Sequence, residues 1–209
     1  METFIFDANV PIAFDVAGHF SLLAEVFKNP QEHKILMSKD NFDECKRKGL
    51  RLCTQLKEIP SFGVDETLDK NKVKEVKTVC EKTLKRKLHQ GKKDEDYQVI
   101  ALAIQTNAEF LVTNDGQLFD VFGDYKKLYP ENQTLKRIRP LTIPLFLRYI
   151  GNLNKDILYP NRYANVNFDI YNNVETPRFW EGIKHYAWEL ELVRRVFKPY
   201  ADNVIGVIK

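Results

Sequence analysis

An apolar run that stops at an acidic residue opens the chain. The run extends from Phe4 to Phe6, Asp7 ends it, and Asn9 and Pro11 follow within four positions. A buried parallel strand has this pattern when it delivers a carboxylate to the carboxyl edge of a sheet, where open α/β folds bind ligands. The alternative is an acid that only caps the next helix. Further acids at the same edge would favour a functional site.

The composition is that of a globular protein. The chain has 209 residues, of which 44% are hydrophobic and 29% charged, and this length accommodates one well-buried domain plus an appendage. No apolar run approaches the ~20 residues of a membrane span, and Asp7 interrupts the stretch that a signal peptide would need. The three cysteines form no C-x-x-C pair, which predicts reduced thiols. We therefore expect a cytoplasmic protein that does not interact with membranes.

Short apolar runs alternate with helical patterns up to residue 150. Strands are predicted at 4–6, 34–37, 109–113 and 137–142. Helices are predicted at 10–28 with a break at Gly18, at 42–48 after candidate caps in 38–40, at 64–91 and at 97–104. A further helix is predicted at 145–150, with Thr142 as N-cap and Pro144 in the first turn. This alternation predicts one α/β domain over residues 1–150, with a parallel sheet flanked by helices.

Three further acids fall where they could meet Asp7. Glu44 lies in the early turns of the helix after the second strand, and Asp115 ends strand 109–113 in a repeat of the opening pattern. Asp96 begins a helix that is apolar nearly all round, on the face expected to meet the sheet, whereas Asp94 is better placed as its cap. Acids at a helix start also favour the helix dipole, which is the structural alternative.

The chemistry of these acids indicates a particular kind of metal. No His cluster or Cys ligand set accompanies them, and oxygen ligands alone select Mg²⁺ or Mn²⁺ over zinc. Crowded carboxylates repel one another unless a cation neutralises them. A metal held in this way acts on phosphoryl oxygens, as in phosphodiester hydrolysis.

Four segments together resemble the PIN-domain nucleases. They are the opening motif Phe4–Val10, the helical acid Glu44, the pattern Asp96–Ala103 and the strand end Leu111–Asp115. A closing strand followed by a proline-started helix extends the resemblance over residues 1–150. Many members carry a further acid two residues after the last Asp, where this chain has Gln117, and Asp120 lies five residues on.

The resemblance implies a three-layer PIN-like fold and a metal-dependent endoribonuclease that hydrolyses phosphodiester bonds of single-stranded RNA. The Mg²⁺ or Mn²⁺ site would consist of Asp7, Glu44, Asp96 and Asp115. Many relatives are toxins of toxin–antitoxin pairs, while others process or degrade cellular RNA. An antitoxin-like protein or an RNA-processing partner is therefore expected besides RNA.

Two further sets of residues are candidates around the acids. Hydrogen-bonding groups that orient the carboxylates are expected at Asn9, Thr113 and Asn114. Contacts to RNA phosphates are expected at Lys46, Arg47, Lys85, Arg86, Lys92 and Lys93. For such basic runs, a solvated helix face is the alternative.

Two other functions are compatible with parts of the pattern. A haloacid-dehalogenase-type phosphohydrolase also begins with a strand-end Asp, but it has Gly-Thr or a second Asp shortly afterwards, which the segment from Asn9 to Ile12 does not. A non-catalytic PIN-like RNA-binding or scaffold protein would keep the fold without the chemistry.

The composition changes after residue 150. Asn and Tyr become frequent in an irregular stretch, and a helix is predicted at about 177–197, with an apolar seam that begins at Phe179 and ends at Phe197. We expect residues 151–209 to form a C-terminal, mainly helical extension. Its seam would pack on the core of the same chain, or form a homodimer or bind a partner helix.

Overall fold

In a computed structural model of the protein, five parallel strands form one sheet in the order β3-β2-β1-β4-β5. The structure describes residues 1–16, 20–88 and 94–143, together with Leu145, Phe146 and Tyr149. The strands are β1 (Glu2–Phe6), β2 (His33–Ser38), β3 (Phe62–Asp65), β4 (Phe110–Val112) and β5 (Arg139–Leu141). The chain runs outward from β1 to β3 on one side and from β4 to β5 on the other. The topological switch point therefore lies between β1 and β4.

Helices cover both faces of the sheet, which confirms the predicted α/β fold. They are α1 (Asn9–Val16), α2 (Phe20–Val26), α3 (Lys39–Lys48), α4 (Leu50–Glu58), α5 (Lys70–Thr78), α6 (Glu95–Gln105), α7 (Gly116–Leu128) and α8 (Gln133–Arg137), and a π-helical turn (Val79–Thr83) extends α5. No helix in the described part of the chain is long and apolar enough to cross a membrane.

The two faces of β1 lie in two separate apolar layers. Phe4 and Phe6 pack with α1 to α4, whereas Ile5 packs on the opposite face with α5 to α8. Because β1 pairs with β2 on one side and with β4 on the other, these three side chains are completely buried. This explains the continuous apolar run at the start of the sequence.

Aromatic rings fill the layer beneath β1. The ring of Phe4 stacks on that of Phe110 with centroids 4.6 Å apart, and it meets the ring of Phe27 edge-on at 5.3 Å. Phe146 meets Phe6 edge-on at 5.3 Å. These contacts tie the two central strands to the helices of this face.

The predicted helix over 64–91 is wrong in extent. The first two residues of this range belong to β3. Helix α5 begins only at Lys70, because the side chain of Asp69 accepts a hydrogen bond from the backbone N of Asn71 at 2.8 Å and caps the helix there. The helical turns end at Thr83, after which the chain is irregular as far as Leu88.

Four elements were not predicted, namely β3, α4, α7 and α8. β3 has four residues, all half-buried, so its apolar signal is weak. Its Gly63 has a packing role, since a Cβ at that position would lie 3.0 Å from Cδ2 of Leu36 in the neighbouring strand. The residue that weakens the strand pattern is thus the one that lets β3 approach β2.

Thr142 lies directly before a helical turn that begins at Ile143, which is the predicted N-cap position, but its side chain makes no capping bond among the described residues. Its Oγ1 is buried without a hydrogen-bond partner among the described residues, although the backbone N of Phe146 donates to the Thr142 carbonyl at 2.8 Å, as in a helical turn. Gly18, Pro144, the complete 145–150 helix and the extension over 151–209 with its helix at 177–197 lie outside the described residues.

Truncation of the stacked aromatic pair should be costly. We expect Phe4→Ala to lower the free energy of unfolding by about 3–5 kcal/mol, because it removes a buried ring and leaves a cavity between β1, β4 and α2. Urea unfolding would measure the change. Leu50→Ala is the control, since Leu50 is 69% exposed and its replacement should change stability by less than about 0.5 kcal/mol. Equal losses in the two variants would contradict the assigned core.

Candidate functional site

The Asp7 carboxylate lies at the carboxyl end of the central strand and is 5% exposed. Its Oδ2 accepts hydrogen bonds from Asn9 Nδ2 and from Thr113 Oγ1, each at 2.7 Å. Both donors are side chains, so the Asp7 carboxylate is held by the first residue of α1 and by the loop after β4. Asn9 Oδ1 in turn accepts a bond from the backbone N of Asn114 at 2.9 Å, which ties these two segments together.

The four acids predicted from the sequence interact electrostatically at this edge. Burial raises the pKa of Asp7 to about 8 against the opposing effect of the Thr113 hydrogen bond, and the charges of Asp96, Asp115 and Glu44 raise it further. Burial likewise raises the pKa of Asp96 to about 7, with added repulsion from Asp115 and Glu44. Burial also raises the pKa of Glu44. Segments far apart in sequence thus place their carboxyl groups within electrostatic range at the switch point.

Asp115 has the capping role that the sequence left open for strand-end acids. Its Oδ1 accepts hydrogen bonds from the backbone N of Gln117 at 2.7 Å and of Leu118 at 3.2 Å, so it caps α7. Its own backbone N donates to Thr113 Oγ1 at 2.9 Å. Both capping bonds use Oδ1, so Oδ2 takes no part in the cap.

The predicted cap of α6 is wrong in its mechanism. Asp94 occupies the N-cap position, but its φ is 58° and its side chain makes no capping bond. Its Oδ1 instead accepts a hydrogen bond from Lys77 Nζ at 2.7 Å. A left-handed backbone is uncommon for a residue other than glycine. Asp94 is therefore fixed to α5, while Asp96 lies with the other acids.

Asn41 is a central residue that the sequence analysis missed. Its buried side chain accepts a hydrogen bond from the backbone N of Ala8 at 3.3 Å and donates to the carbonyl of Glu95 at 3.0 Å. It also donates to Ser38 Oγ at 2.9 Å. Asn41 thereby joins the segments that carry Asp7, Glu44 and Asp96. The nearby cap at Ser38 is a local signal, but no sequence pattern indicates the long-range bonds.

An ion pair lies beside the acids. Arg47 Nη2 is 2.9 Å from Oε1 of Glu95, whose side chain is 7% exposed. A carboxylate buried to this extent requires such a partner. From the sequence, Arg47 was predicted to contact RNA phosphates, and its pairing with Glu95 was not predicted. In the structure the guanidinium already has an anionic partner inside the protein.

The other predicted residues differ in their surroundings. The side-chain Nδ2 and Oδ1 of Asn114 are buried without hydrogen-bond partners among the described residues. Lys46 and Lys85 are exposed, and Arg86 lies 3.8 Å from Asp124. Lys92 and Lys93 fall outside the described residues. Asp120 is not among the charges that raise the pKa of Asp7 or Asp96.

The donor set suits a hard divalent cation, but its members do not converge. Carboxylate oxygens are the ligands that Mg²⁺ and Mn²⁺ prefer, and the unpartnered amide of Asn114 adds a further polar group beside them. Within the described ranges, no three His, Cys, Asp or Glu side chains form a ready-made metal-binding group. Ligation would therefore require the carboxylates to approach one another more closely.

A cleft of about 770 Å³ lies next to this edge, between α3, α5 and α6. Its lining carries five lysines and five acidic residues, so it has no net charge. It extends from Ser38 at the end of β2 to Asp65 at the end of β3 and does not include the four acids. The cleft and the acidic cluster are therefore separate features of one sheet edge.

The fold and the site define an α/β protein with a five-stranded parallel sheet and an acidic cluster at its topological switch point. The chain matches no protein-family model, no curated protein and no solved structure. The fold class is thus established without assignment to a family.

The buried Asp7 should make the metal-free protein less stable as the pH rises. Its pKa is about 8 in the folded state against 3.8 ordinarily, so the unfolded chain loses this proton first, and stability falls between about pH 4 and pH 8. Asp7→Asn removes the effect. We expect its advantage over the wild type to grow from near zero at pH 4 to about 5 kcal/mol at pH 8, since each pKa unit corresponds to about 1.4 kcal/mol.

Urea unfolding in EDTA across this pH range measures the difference. Asp65→Asn is the matched control, because Asp65 ends β3 at the same edge and its Oδ1 accepts a bond from the backbone N of Thr67 at 2.7 Å. Its stability should follow the wild-type pH profile. Parallel profiles for Asp7→Asn and the wild type would contradict the assigned burial of the charge.

Proposed function

We propose that the protein is a Mg²⁺- or Mn²⁺-dependent endoribonuclease that acts on single-stranded RNA. The observation that carries the proposal is the Asp7 carboxyl group, buried at the switch point with the charges of Asp96, Asp115 and Glu44 acting on it. Open α/β folds bind their ligands at this point. Buried carboxyl groups that repel one another reduce stability, which indicates selection for a function.

A divalent cation would reverse the unfavourable electrostatics. Without it, Asp7 holds a proton up to about pH 8, and with it the ionised form is favoured. Asp7 and Asp115 each use a single oxygen for the protein hydrogen bonds described above, Oδ2 and Oδ1 respectively. The second oxygen of each carboxylate is then available to a metal.

The chain's residues divide into three roles in this proposal. Asp7, Asp96 and Asp115 hold the metal, and Glu44 either ligates it or positions a water molecule. When bound, the metal supplies a Lewis acid for phosphoryl oxygens and an activated water. Asn9 and Thr113 orient the Asp7 carboxylate through the bonds at 2.7 Å, as supporting groups do in metal sites.

The choice of RNA as substrate rests on the resemblance to the PIN-domain nucleases. The order of the acids along the chain, with one after β1, one on α3, one at the start of α6 and one after β4, supports that resemblance. Basic side chains on the neighbouring segment, Lys85 and Arg86, suit a phosphate backbone. An antitoxin-like or RNA-processing partner belongs to the same proposal.

A non-catalytic RNA-binding protein with the same fold is the second candidate. The observation that favours it is the lack of a ready-made metal-binding group among the described residues. In this case the basic residues would bind RNA while the acids served only in helix capping and ion pairs. Metal binding distinguishes the two candidates.

Cleavage of a mixed single-stranded RNA pool with and without Mn²⁺ tests the proposal. We expect Mn²⁺-dependent cleavage that falls roughly a hundredfold or more in Asp7→Asn, since the variant lacks the central ligand charge. Asp65→Asn should cleave like the wild type, because it changes a strand-end acid outside the cluster. The fold of both variants is checked by circular dichroism.

Undiminished cleavage by Asp7→Asn would refute the assigned metal centre. Calorimetric titration with Mn²⁺ provides the second measurement, for which we expect binding to the wild type and to Asp65→Asn but not to Asp7→Asn. RNA binding without Mn²⁺ binding would instead support the non-catalytic candidate.

A further inference from the structure

A short basic segment lies between α5 and α6 and is anchored in an unusual way. We call residues 84–88 the basic arm, since it contains Lys85, Arg86 and Lys87. It leaves the π-helical turn through backbone bonds from Leu84 N to the Val79 carbonyl at 3.0 Å and from Arg86 N to the Cys80 carbonyl at 2.9 Å. Lys85 has a φ of 53°, so the chain turns sharply there.

Two side chains anchor the far end of the arm. The backbone N of Leu88 donates to the hydroxyl of Tyr97 at 3.1 Å, and Nε2 of Gln117 donates to the carbonyl of Lys87 at 2.7 Å. The Leu88 side chain is buried in the apolar layer around α6 and α7. Tyr97 directly follows Asp96, and Gln117 lies two residues after Asp115. The arm is thus attached to the two helices whose first turns carry these acids.

The anchoring hydrogen bonds involve the backbone of the arm, so its charged side chains remain exposed to solvent. Lys85, Arg86 and Lys87 are exposed. Among the described residues, the acidic partner of the arm is Asp124, 3.8 Å from Nη2 of Arg86, and Lys127 lies closer to that carboxylate, at 3.0 Å. The arm therefore presents positive charge on a segment attached to the two helices that begin at the acidic cluster, whereas the cleft between α5 and α6 has no net charge.

We propose that the basic arm binds backbone phosphates of single-stranded RNA and holds the strand against the acidic edge, with Gln117 as the positioning residue. This inference rests on the proposed function. Where many PIN-domain nucleases have a further acid, Gln117 supplies an amide donor that the Lys87 carbonyl requires and that a carboxylate could not provide. The position then serves to hold the substrate strand and does not ligate metal.

Removal of the arm's charge is the first test. The variant Lys85→Ala/Arg86→Ala/Lys87→Ala should bind a fluorescent single-stranded RNA about tenfold or more weakly in EDTA. The slope of log affinity against log salt concentration should fall by about 2, as expected for three lost phosphate contacts. The control Lys28→Ala/Lys57→Ala/Lys136→Ala removes the same charge from segments that lead into the amino ends of strands, on the opposite edge, and should bind like the wild type.

Replacement of the anchor is the second test. Gln117→Met keeps the length of the side chain and its helix propensity but removes the amide. We expect it to raise KM for RNA several-fold with little change in kcat, and to leave Mn²⁺ affinity unchanged in calorimetry. A metal ligand at this position would instead lose Mn²⁺ affinity, and a merely structural residue would lower thermal stability without a change in KM.

The outcomes separate this inference from the proposed function. If RNA binding depends on the arm but no cleavage occurs, the proposed role of the basic arm is supported and the proposed nuclease activity is refuted. If the wild type cleaves RNA but binds it no more tightly than the arm variant does, the proposed role of the basic arm is refuted. Equal weakening in the arm variant and the control would also refute it, because general charge would then explain the binding. Wild-type affinity for duplex DNA but not for single-stranded RNA would overturn the choice of ligand.

Discussion

The parallel pairing of β1 with β2 on one side and with β4 on the other determines most of what this protein can do. It buries Phe4, Ile5 and Phe6 completely, and it brings the carboxyl ends of the central strands to one edge. Because the strand order reverses between β1 and β4, the loops after these two parallel strands lead to opposite sides of the sheet and leave a crevice there. Asp7 lies in that crevice because it immediately follows β1, whose last three residues are completely buried.

This position is energetically unfavourable for an isolated carboxylate. Desolvation is the largest cause of the raised pKa of Asp7, ahead of its acidic neighbours, so the burial of β1 itself creates the problem. The hydrogen bonds from Asn9 and Thr113 reduce the cost without removing it. Glu95, which directly precedes Asp96 in the sequence, is buried as well but has Arg47 as a partner. The contrast shows that the fold can neutralise an acid at this edge, whereas no cationic side chain among the described residues is a partner of Asp7.

Sequence patterns predict the parts of this structure that depend on local order or on strong apolar runs. β1, β2 and α6 follow from their runs, and the acids at strand ends follow from the rule that parallel strands share an edge. β3 was missed because Gly63 interrupts its pattern, for a packing reason that involves Leu36 in another strand. Asn41 was missed because it joins backbone groups of Ala8 and Glu95, which are 33 and 54 positions away. No local pattern specifies such contacts, since they exist only once the sheet has formed.

The hydrogen bonds of the acids also show how structural and functional roles can coexist in one side chain. Asp115 caps α7 through Oδ1, and Asp7 receives both of its donors on Oδ2. The helix-capping and functional interpretations of a strand-end acid are therefore not exclusive, because a carboxylate has two oxygens and each role needs only one. Gln117 likewise has two roles, and together they link the acids to the basic arm. Gln117 contributes its backbone N to the Asp115 cap and its side chain to the Lys87 carbonyl, so the first turn of α7 fixes the acid and the arm relative to each other.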